Sequence, residues 1–295
     1  MIESTTVDGR GGIDAALVRR LVAAQFPHWA GLAVRPVPVD GWDNRTYRLG
    51  DELTVRLPSA AGYVPAVAKE HRWLPVLAPQ LSVRIPQVVG IGRPSPDFDR
   101  PWSIRRWLPG QTAGPDTVPN PLALARSLAE FIQQIQAVDP HEGPLAGAHS
   151  FFRGTPPAHY DSETKAALTR WPGRLDVDRA AAVWAAALAA DFDGPPVWFH
   201  GDIATGNLLM QQGRLHAVID FGTSGVGDPA CDLVIAWTFF EGPARQVFRA
   251  AVAQDEGCWA RARGWALWKA LISLDGGPAD VANLRVIDAV LAELD

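Results

Sequence analysis

Short apolar runs bounded by turn residues dominate the first third of the chain, and long stripes at helical spacing dominate the rest. Leu17, Val18, Leu21 and Val22 share one face of a 3.6-residue repeat, which predicts an opening helix over residues 13–26. Strands are expected over residues 34–39, 46–49 and 53–57, joined at 40–45 and at Gly50-Asp51-Glu52. Pro36 and Pro38 lack an N–H donor, so the first of these strands belongs at a sheet edge. A helix is expected over residues 63–78, and residues 103–110 read as a strand ending in a Pro109-Gly110 breaker, suited to a hinge between lobes.

Beyond a loop at 110–120, Leu124, Leu128, Phe131, Ile132, Ile135 and Val138 recur at helical spacing and form a core stripe. Residues 141–160 are irregular and contain the aromatic and cationic cluster Phe151-Phe152-Arg153-Gly154. Asp178 is a cap candidate for an alanine-rich helix ending near Phe192, and further helices are expected over 229–240, 245–254, 258–274 and 280–294. Strands early and helices late indicate an α+β protein. With 295 residues, two lobes sharing a cleft fit the length, divided here as 1–107 and 108–295.

The chemistry concentrates between Trp198 and Leu233. An apolar strand (Val197, Trp198, Phe199) ends in His200-Gly201-Asp202, and a polar loop leads to Asn207. Leu208 to Met210 and Leu215 to Ile219 read as the arms of a hairpin turning at residues 211–214, and the return arm delivers Asp220. Two carboxylates and an amide at neighbouring loop tips suit a divalent cation and an oriented hydroxyl nucleophile, the two needs of phosphoryl transfer from a nucleotide. Asp202 is the candidate base, and Asn207 and Asp220 offer the oxygen ligands that Mg2+ prefers. Taken singly, an Asp or Asn in such a loop is more often a turn residue or cap. His200, beside an apolar strand, suits a structural role; Asp228-Pro229 looks like a cap followed by proline at the first helical position, putting Asp232 in the first turn, able to bond orphan N–H groups of a neighbouring loop.

In combination, His200-Gly201-Asp202 with Asn207, Ile219-Asp220-Phe221-Gly222, and Gly227-Asp228-Pro229 with Asp232-Leu233 resemble the aminoglycoside phosphotransferase family. The resemblance implies a protein-kinase-like bilobal fold, with a small strand-rich amino-terminal lobe, a larger helical lobe and the active site between them. It implies Asp202 as catalytic base, Asn207 and Asp220 as metal ligands, and Asp232, with His200, as supports of the catalytic loop. The amino-terminal lobe then holds ATP or GTP. Arg56 stands where kinases usually carry the phosphate-binding lysine, as in the Arg-Leu-Pro strand of the macrolide-kinase branch, and Glu70 is its partner carboxylate. That branch tends to carry a histidine where this chain has Asn207. Asn44, with backbone N–H groups near Gly41, approaches phosphate oxygens, and Trp107 and Leu108 neighbour the nucleobase. No GxGxxG is present.

Composition narrows the alternatives. Hydrophobic residues at 47% and charged residues at 20% describe an ordinary globular chain, and a net charge of −5 without a basic block argues against nucleic-acid binding. Cys231 and Cys258 sit in apolar helical sequence and are expected as buried thiols. The first residues carry no cationic-then-apolar signal pattern and no apolar run suits a bilayer, so no membrane association and a cytoplasmic location are expected. The leading reading is a kinase for a hydroxyl of a small-molecule acceptor, an antibiotic or else a sugar, choline-like or other amino-alcohol metabolite. A non-catalytic nucleotide-binding protein is a second class. A metallohydrolase using His200, Asp202 and His216 is a third, although no HExxH accompanies them. Gly222-Thr223-Ser224-Gly225-Val226 lacks the last glycine of a serine hydrolase elbow.

Overall fold

The computed structural model describes residues 12–38, 41, 43–171, 173–278 and 280–294; Val39, Asp40 and Trp42, from the first expected strand and its junction, lie outside these. The chain forms two compact units. The first comprises the chain up to Pro79, Arg84–Pro109 and Ile219–Gly222; the second comprises Gln80–Val83, Gly110–Val218 and the chain from Thr223.

The first unit runs α1 (Ala15–Gln25), β1 (Val34–Pro36), β2 (Asn44–Leu49), β3 (Leu53–Pro58), α2 (Val64–Leu77), β4 (Val88–Gly92) and β5 (Trp102–Arg106). Its antiparallel sheet has the order β1-β2-β3-β5-β4, so the proline-bearing β1 is indeed an edge. Asp14 starts α1 by accepting the Leu17 N–H at 2.7 Å. Leu17, Val18, Leu21 and Val22 then pack with Leu49, Val55, Leu57, Trp102 and Ile104 in one apolar core. Alternation along β3 decides what the opposite face carries: Val55 and Leu57 enter this core, which turns Thr54 and Arg56 to the other side. On β5, Ser103 and Arg105 are turned away from Trp102 and Ile104 in the same manner.

The second unit contains β6 (Gln111–Thr112), α3 (Pro121–Ala137), α4 (Asp161–Arg170), α5 (Val177–Ala189), β7 (Val197–Phe199), β8 (Leu208–Gln211), β9 (Arg214–Val218), β10 (Gly225–Gly227), α6 (Ile235–Thr238), α7 (Gly242–Val252), α8 (Glu256–Ile272) and α9 (Asp280–Leu291). The predicted stripe of α3 is buried, as is Val138 just past its end, and each such side chain contributes about 1.5–3 kcal/mol relative to an exposed one. α8 packs against α4, α5 and α9 and is buried on nearly every side. Its one fully buried charge, Arg261, pairs with Asp228 through two contacts at 2.7 and 3.2 Å. Cys231 and Cys258 are free and buried. Among the described residues no helix is long and apolar enough to cross a membrane.

Three expectations need correction. Asp176, not Asp178, caps α5: it is the residue with non-helical backbone, and its carboxylate accepts the Arg179 N–H at 3.1 Å. That helix also ends at Ala189, short of Phe192. The helix expected over 229–240 is instead a 3-10 segment, Pro229–Val234, followed by the one-turn α6. The 110–120 loop contains β6, and α4 follows the irregular 141–160 stretch without a forecast.

Candidate active site

β8 and β9 form the expected hairpin. Gln212 and Gly213 both adopt positive φ (52° and 74°), the requirement of a two-residue type I′ turn, and Gln211 pairs with Arg214 across it. Preceding the hairpin, β7 pairs with β10 and ends at His200. Gly201 has φ 87°, and a Cβ there would stand 2.7 Å from the Thr223 carbonyl oxygen, so the turn into Asp202 demands glycine.

Asp232 fixes this turn. Its fully buried carboxylate accepts the His200 N–H at 2.7 Å and the Gly201 N–H at 2.6 Å. Burial pushes the Asp232 carboxyl up, and the two N–H groups partly offset that. His200 is also buried, and its Nδ1 accepts the Asp202 N–H at 3.2 Å. Asp202 is thereby held with a side chain 37% exposed. Asn207 Nδ2 donates to the Asp202 carbonyl at 2.9 Å and to Asp202 Oδ2 at 3.0 Å, so the amide oxygen is the atom Asn207 has to offer a cation.

Lys269, which sequence reasoning missed, lies 2.7 Å from Asp202 Oδ1. Burial works to raise the Asp202 carboxyl, but the Lys269 ammonium outweighs it and holds the group below its ordinary range. Arg153, Asp202, Trp265, Trp268 and Lys269 line a shallow pocket. Sixty-seven residues separate Lys269 from Asp202, so no local pattern links them. The available signal was rarity: the chain has three lysines, at 69, 165 and 269, and uses arginine almost everywhere else.

The first unit gathers a second charged cluster. Arg56 Nη2 is 3.4 Å from Asp220 Oδ1, and its Nη1 is 3.8 Å from Glu70 Oε1. Glu70 is buried, not solvated, and its main partner is Arg105, which grips it with two contacts at 3.2 and 2.7 Å. The β3–β5 register explains this: Thr54 faces Arg105 and Arg56 faces Ser103, so the two guanidiniums are diagonal neighbours under α2. Burial alone would raise the Glu70 carboxyl, yet Arg105 and Arg56 hold it at about 2. Lys69 is buried as well, which brings its ammonium down to about 8 against the pull of Glu70. Asp220 has φ 69°, a left-handed conformation that aspartate tolerates better than most residues.

Asn44 is buried at the start of β2, opposite Pro58. Trp107 and Leu108 follow β5 and are half-buried. Since Arg106 pairs with Leu53, they lie beyond the position three residues from Arg56 along β3, roughly 10 Å away or more. The Trp107 ring carries the Arg48 guanidinium 4.1 Å from its centroid. His216 is on β9, and among the described residues no group of three or more His, Cys, Asp or Glu side chains is gathered for a metal ion.

The sequence profile of the phosphotransferase enzyme family matches residues 33–267. Among solved structures, the chain is similar to the GDP complex of aminoglycoside 2'-phosphotransferase-IIIa, at 18% identity and a TM-score of 0.73 over 96% of this chain and 100% of that one. It is similar to the GDP and kanamycin complex of APH(2")-IIia, at 20% identity and a TM-score of 0.69 over 94% and 97% of the two chains. Macrolide 2'-phosphotransferase MphH from Brachybacterium faecium gives 23% identity and a TM-score of 0.59 over 94% and 97%. No curated protein matches by sequence. The fold is the α+β, kinase-like fold of these enzymes, and with most of its length inside the family profile this chain belongs to the phosphotransferase enzyme family.

Proposed function

We propose that the protein transfers the terminal phosphoryl group of ATP or GTP to a hydroxyl of a small molecule. The observation that carries this reading is the bracing of the His200–Asn207 turn. A buried carboxylate holds two successive N–H groups and thereby presents Asp202, half-exposed and ionised, beside the Asn207 amide. A carboxylate so placed accepts a hydrogen bond from the acceptor hydroxyl and takes its proton as the new P–O bond forms and the bond to the nucleoside diphosphate breaks.

Asn207 through its amide oxygen and Asp220 through its carboxylate are the ligands for Mg2+, and both are the hard oxygen donors that ion requires. When bound, Mg2+ neutralises charge on phosphate oxygens. Arg56 grips the α and β phosphates with a permanently charged guanidinium, Glu70 restrains that guanidinium, and Asn44 approaches the phosphates. Trp107 and Leu108 flank the nucleobase. His200 and Asp232 support the catalytic loop. The relatives' GDP and kanamycin complexes support a nucleotide donor and a small-molecule acceptor. A cytoplasmic setting, where nucleoside triphosphates are abundant, accords with this chemistry.

The test is Asp202→Ala, assayed for Mg-dependent turnover and, separately, for nucleotide binding by calorimetry. Turnover falls by a factor of about 10²–10⁴ or more while nucleotide affinity stays within about two-fold. Equal loss of both would remove Asp202 from the chemistry.

A further inference from the structure

Three arginines of the second unit converge on a single carboxylate. Arg245 and Arg249 lie one turn apart on α7, Arg263 is on α8, and Glu293 is on the 3-10 turn Ala292–Leu294 that follows α9. Arg249 Nη1 is 2.7 Å from Glu293 Oε2, and Arg263 Nη1 is 3.4 Å from the same carboxylate oxygen. Arg245 Nη1 is 3.7 Å from Oε1, which also accepts the Trp237 Nε1–H at 2.9 Å. The cations are held from behind. Arg245 Nε donates to the Ala236 and Phe240 carbonyls at 2.8 and 3.1 Å, and the Arg249 guanidinium lies 4.5 Å from the Trp259 ring centroid. Lys269, the α8 residue at Asp202, is about 9 Å further along the helix than Arg263 and about 120° round it, so the cluster belongs to a different face of α8.

The charge here is not balanced. Glu256 adds a second carboxylate 3.6 Å from Arg249, but that side chain is 83% exposed and its pull is screened by solvent. Among the described residues, three permanent cations therefore face one sheltered carboxylate and one solvated one. Glu293 serves Trp237 and Arg249 at close range, which leaves Arg245 and Arg263 at the long end of bonding distance. The arginines open onto a pocket of about 530 Å³, a size that admits a small molecule and not merely an ion. A phosphoryl group carries about two charges and three strong acceptor oxygens, enough to give each guanidinium its own partner. A carboxylate offers two oxygens and one charge, which Glu293 already supplies.

We infer that this pocket binds a small phosphate-bearing anion through Arg245, Arg249 and Arg263, beside Glu293. The ligand bridges α7, α8 and the turn after α9, so its binding raises the thermal transition by mass action. The site is separate from Asp202 and Arg56 and does not depend on the phosphotransfer reading.

Calorimetry of the full-length protein tests this with inorganic pyrophosphate, methyl phosphate and citrate at matched ionic strength, without added metal. The titrations are repeated in Arg56→Gln, which removes the guanidinium of the candidate nucleotide cluster, and in Arg56→Gln/Arg263→Gln. At least one phosphate probe binds Arg56→Gln with a submillimolar Kd, and citrate binds about ten-fold more weakly or worse. Adding Arg263→Gln weakens the phosphate probe by about ten-fold or more, the loss of one charge-assisted hydrogen bond. The tighter of the two phosphate probes tells whether the source is inorganic or organic phosphate. Glu293→Gln removes the neighbouring negative charge and tightens phosphate binding by about three-fold or more. Arginines that serve only as internal ion-pair partners would show no such gain.

Absence of phosphate binding to Arg56→Gln at millimolar concentration overturns the inference. So does citrate binding as tight as either phosphate probe. Affinity within about two-fold in Arg263→Gln, or no gain in Glu293→Gln, also overturns it, each in a protein shown to be folded by its thermal transition. Should one of these variants fail to fold, the probe ranking and the other variant decide. Failure here leaves the phosphotransfer reading untouched, because that reading is tested at Asp202 by turnover.

Discussion

Replacing Asp232 tests the bracing of the Asp202 turn directly. Its carboxylate satisfies two buried N–H groups, those of His200 and Gly201. A buried N–H deprived of its partner costs about 1–3 kcal/mol, so Asp232→Ala should lower unfolding stability by roughly 2–6 kcal/mol. Water entering the space left behind would bring the loss to the lower end of that range. Asp232→Asn should cost less, about 1–3 kcal/mol: one amide oxygen keeps one N–H satisfied, the amide nitrogen faces the other, and the unfavourable burial of a charge is relieved. Against a total of about 5–15 kcal/mol the asparagine variant remains folded in dilute buffer, and the alanine variant does so unless the top of its range meets the bottom of that total. Urea denaturation measures the loss, with an unchanged m-value indicating that the folded and unfolded ensembles are otherwise comparable. A loss below about 1 kcal/mol in the alanine variant would show that the two bonds are not what holds the turn. A kinetic cycle adds a second criterion. If Asp232 acts through the placement of Asp202, then Asp232→Ala in an Asp202→Ala background lowers turnover no further, and a second multiplicative fall refutes the bracing role.

Two pH predictions follow from the charged clusters. Lys269 holds the Asp202 carboxyl below its ordinary range, so Lys269→Met should move the acid limb of kcat/KM to higher pH; superimposable limbs would separate that limb from Asp202. Glu70 titrates at about 2 in the folded chain, below the roughly 4.3 of an unfolded glutamate. Its pairing with Arg105 and Arg56 therefore contributes stability that is fully present above about pH 4.5 and is lost as pH falls toward 2. The stability difference between wild type and Glu70→Gln should shrink across that window, and a difference that stays constant from pH 5 to 2 would contradict the pairing.

The readability of the site in the sequence follows from contact distance along the chain. The hairpin was legible because its turn residues, strands and terminal Asp220 occupy one continuous stretch, and Asp232 was legible as a donor-seeking acid because Asp228-Pro229 marks a helical start. Arg105 was not, since only the β3–β5 register brings it under Glu70, and that register pairs Arg105 with Thr54, 51 positions earlier in the chain. Lys269 reaches Asp202 because α8 is enclosed by α4, α5 and α9, which no periodicity within α8 announces. The α5 cap was misread by two residues because Asp176 and Asp178 are chemically equal candidates, and backbone dihedrals alone distinguish them. β6 and β10 have two and three residues, too few for an alternation to register.

Arg56 has a practical corollary for chemical profiling. Acyl-phosphate analogues of nucleotides label kinases by acylating an amine beside the phosphates, and a guanidinium, protonated at every accessible pH, is no nucleophile toward them. If Arg56 contacts the phosphates as proposed, position 56 is silent to such reagents, and the side-chain amines the chain offers them are those of Lys69, Lys165 and Lys269. An Arg56→Lys protein would carry the missing handle, making it the form in which occupancy by unknown nucleotides is most readily captured.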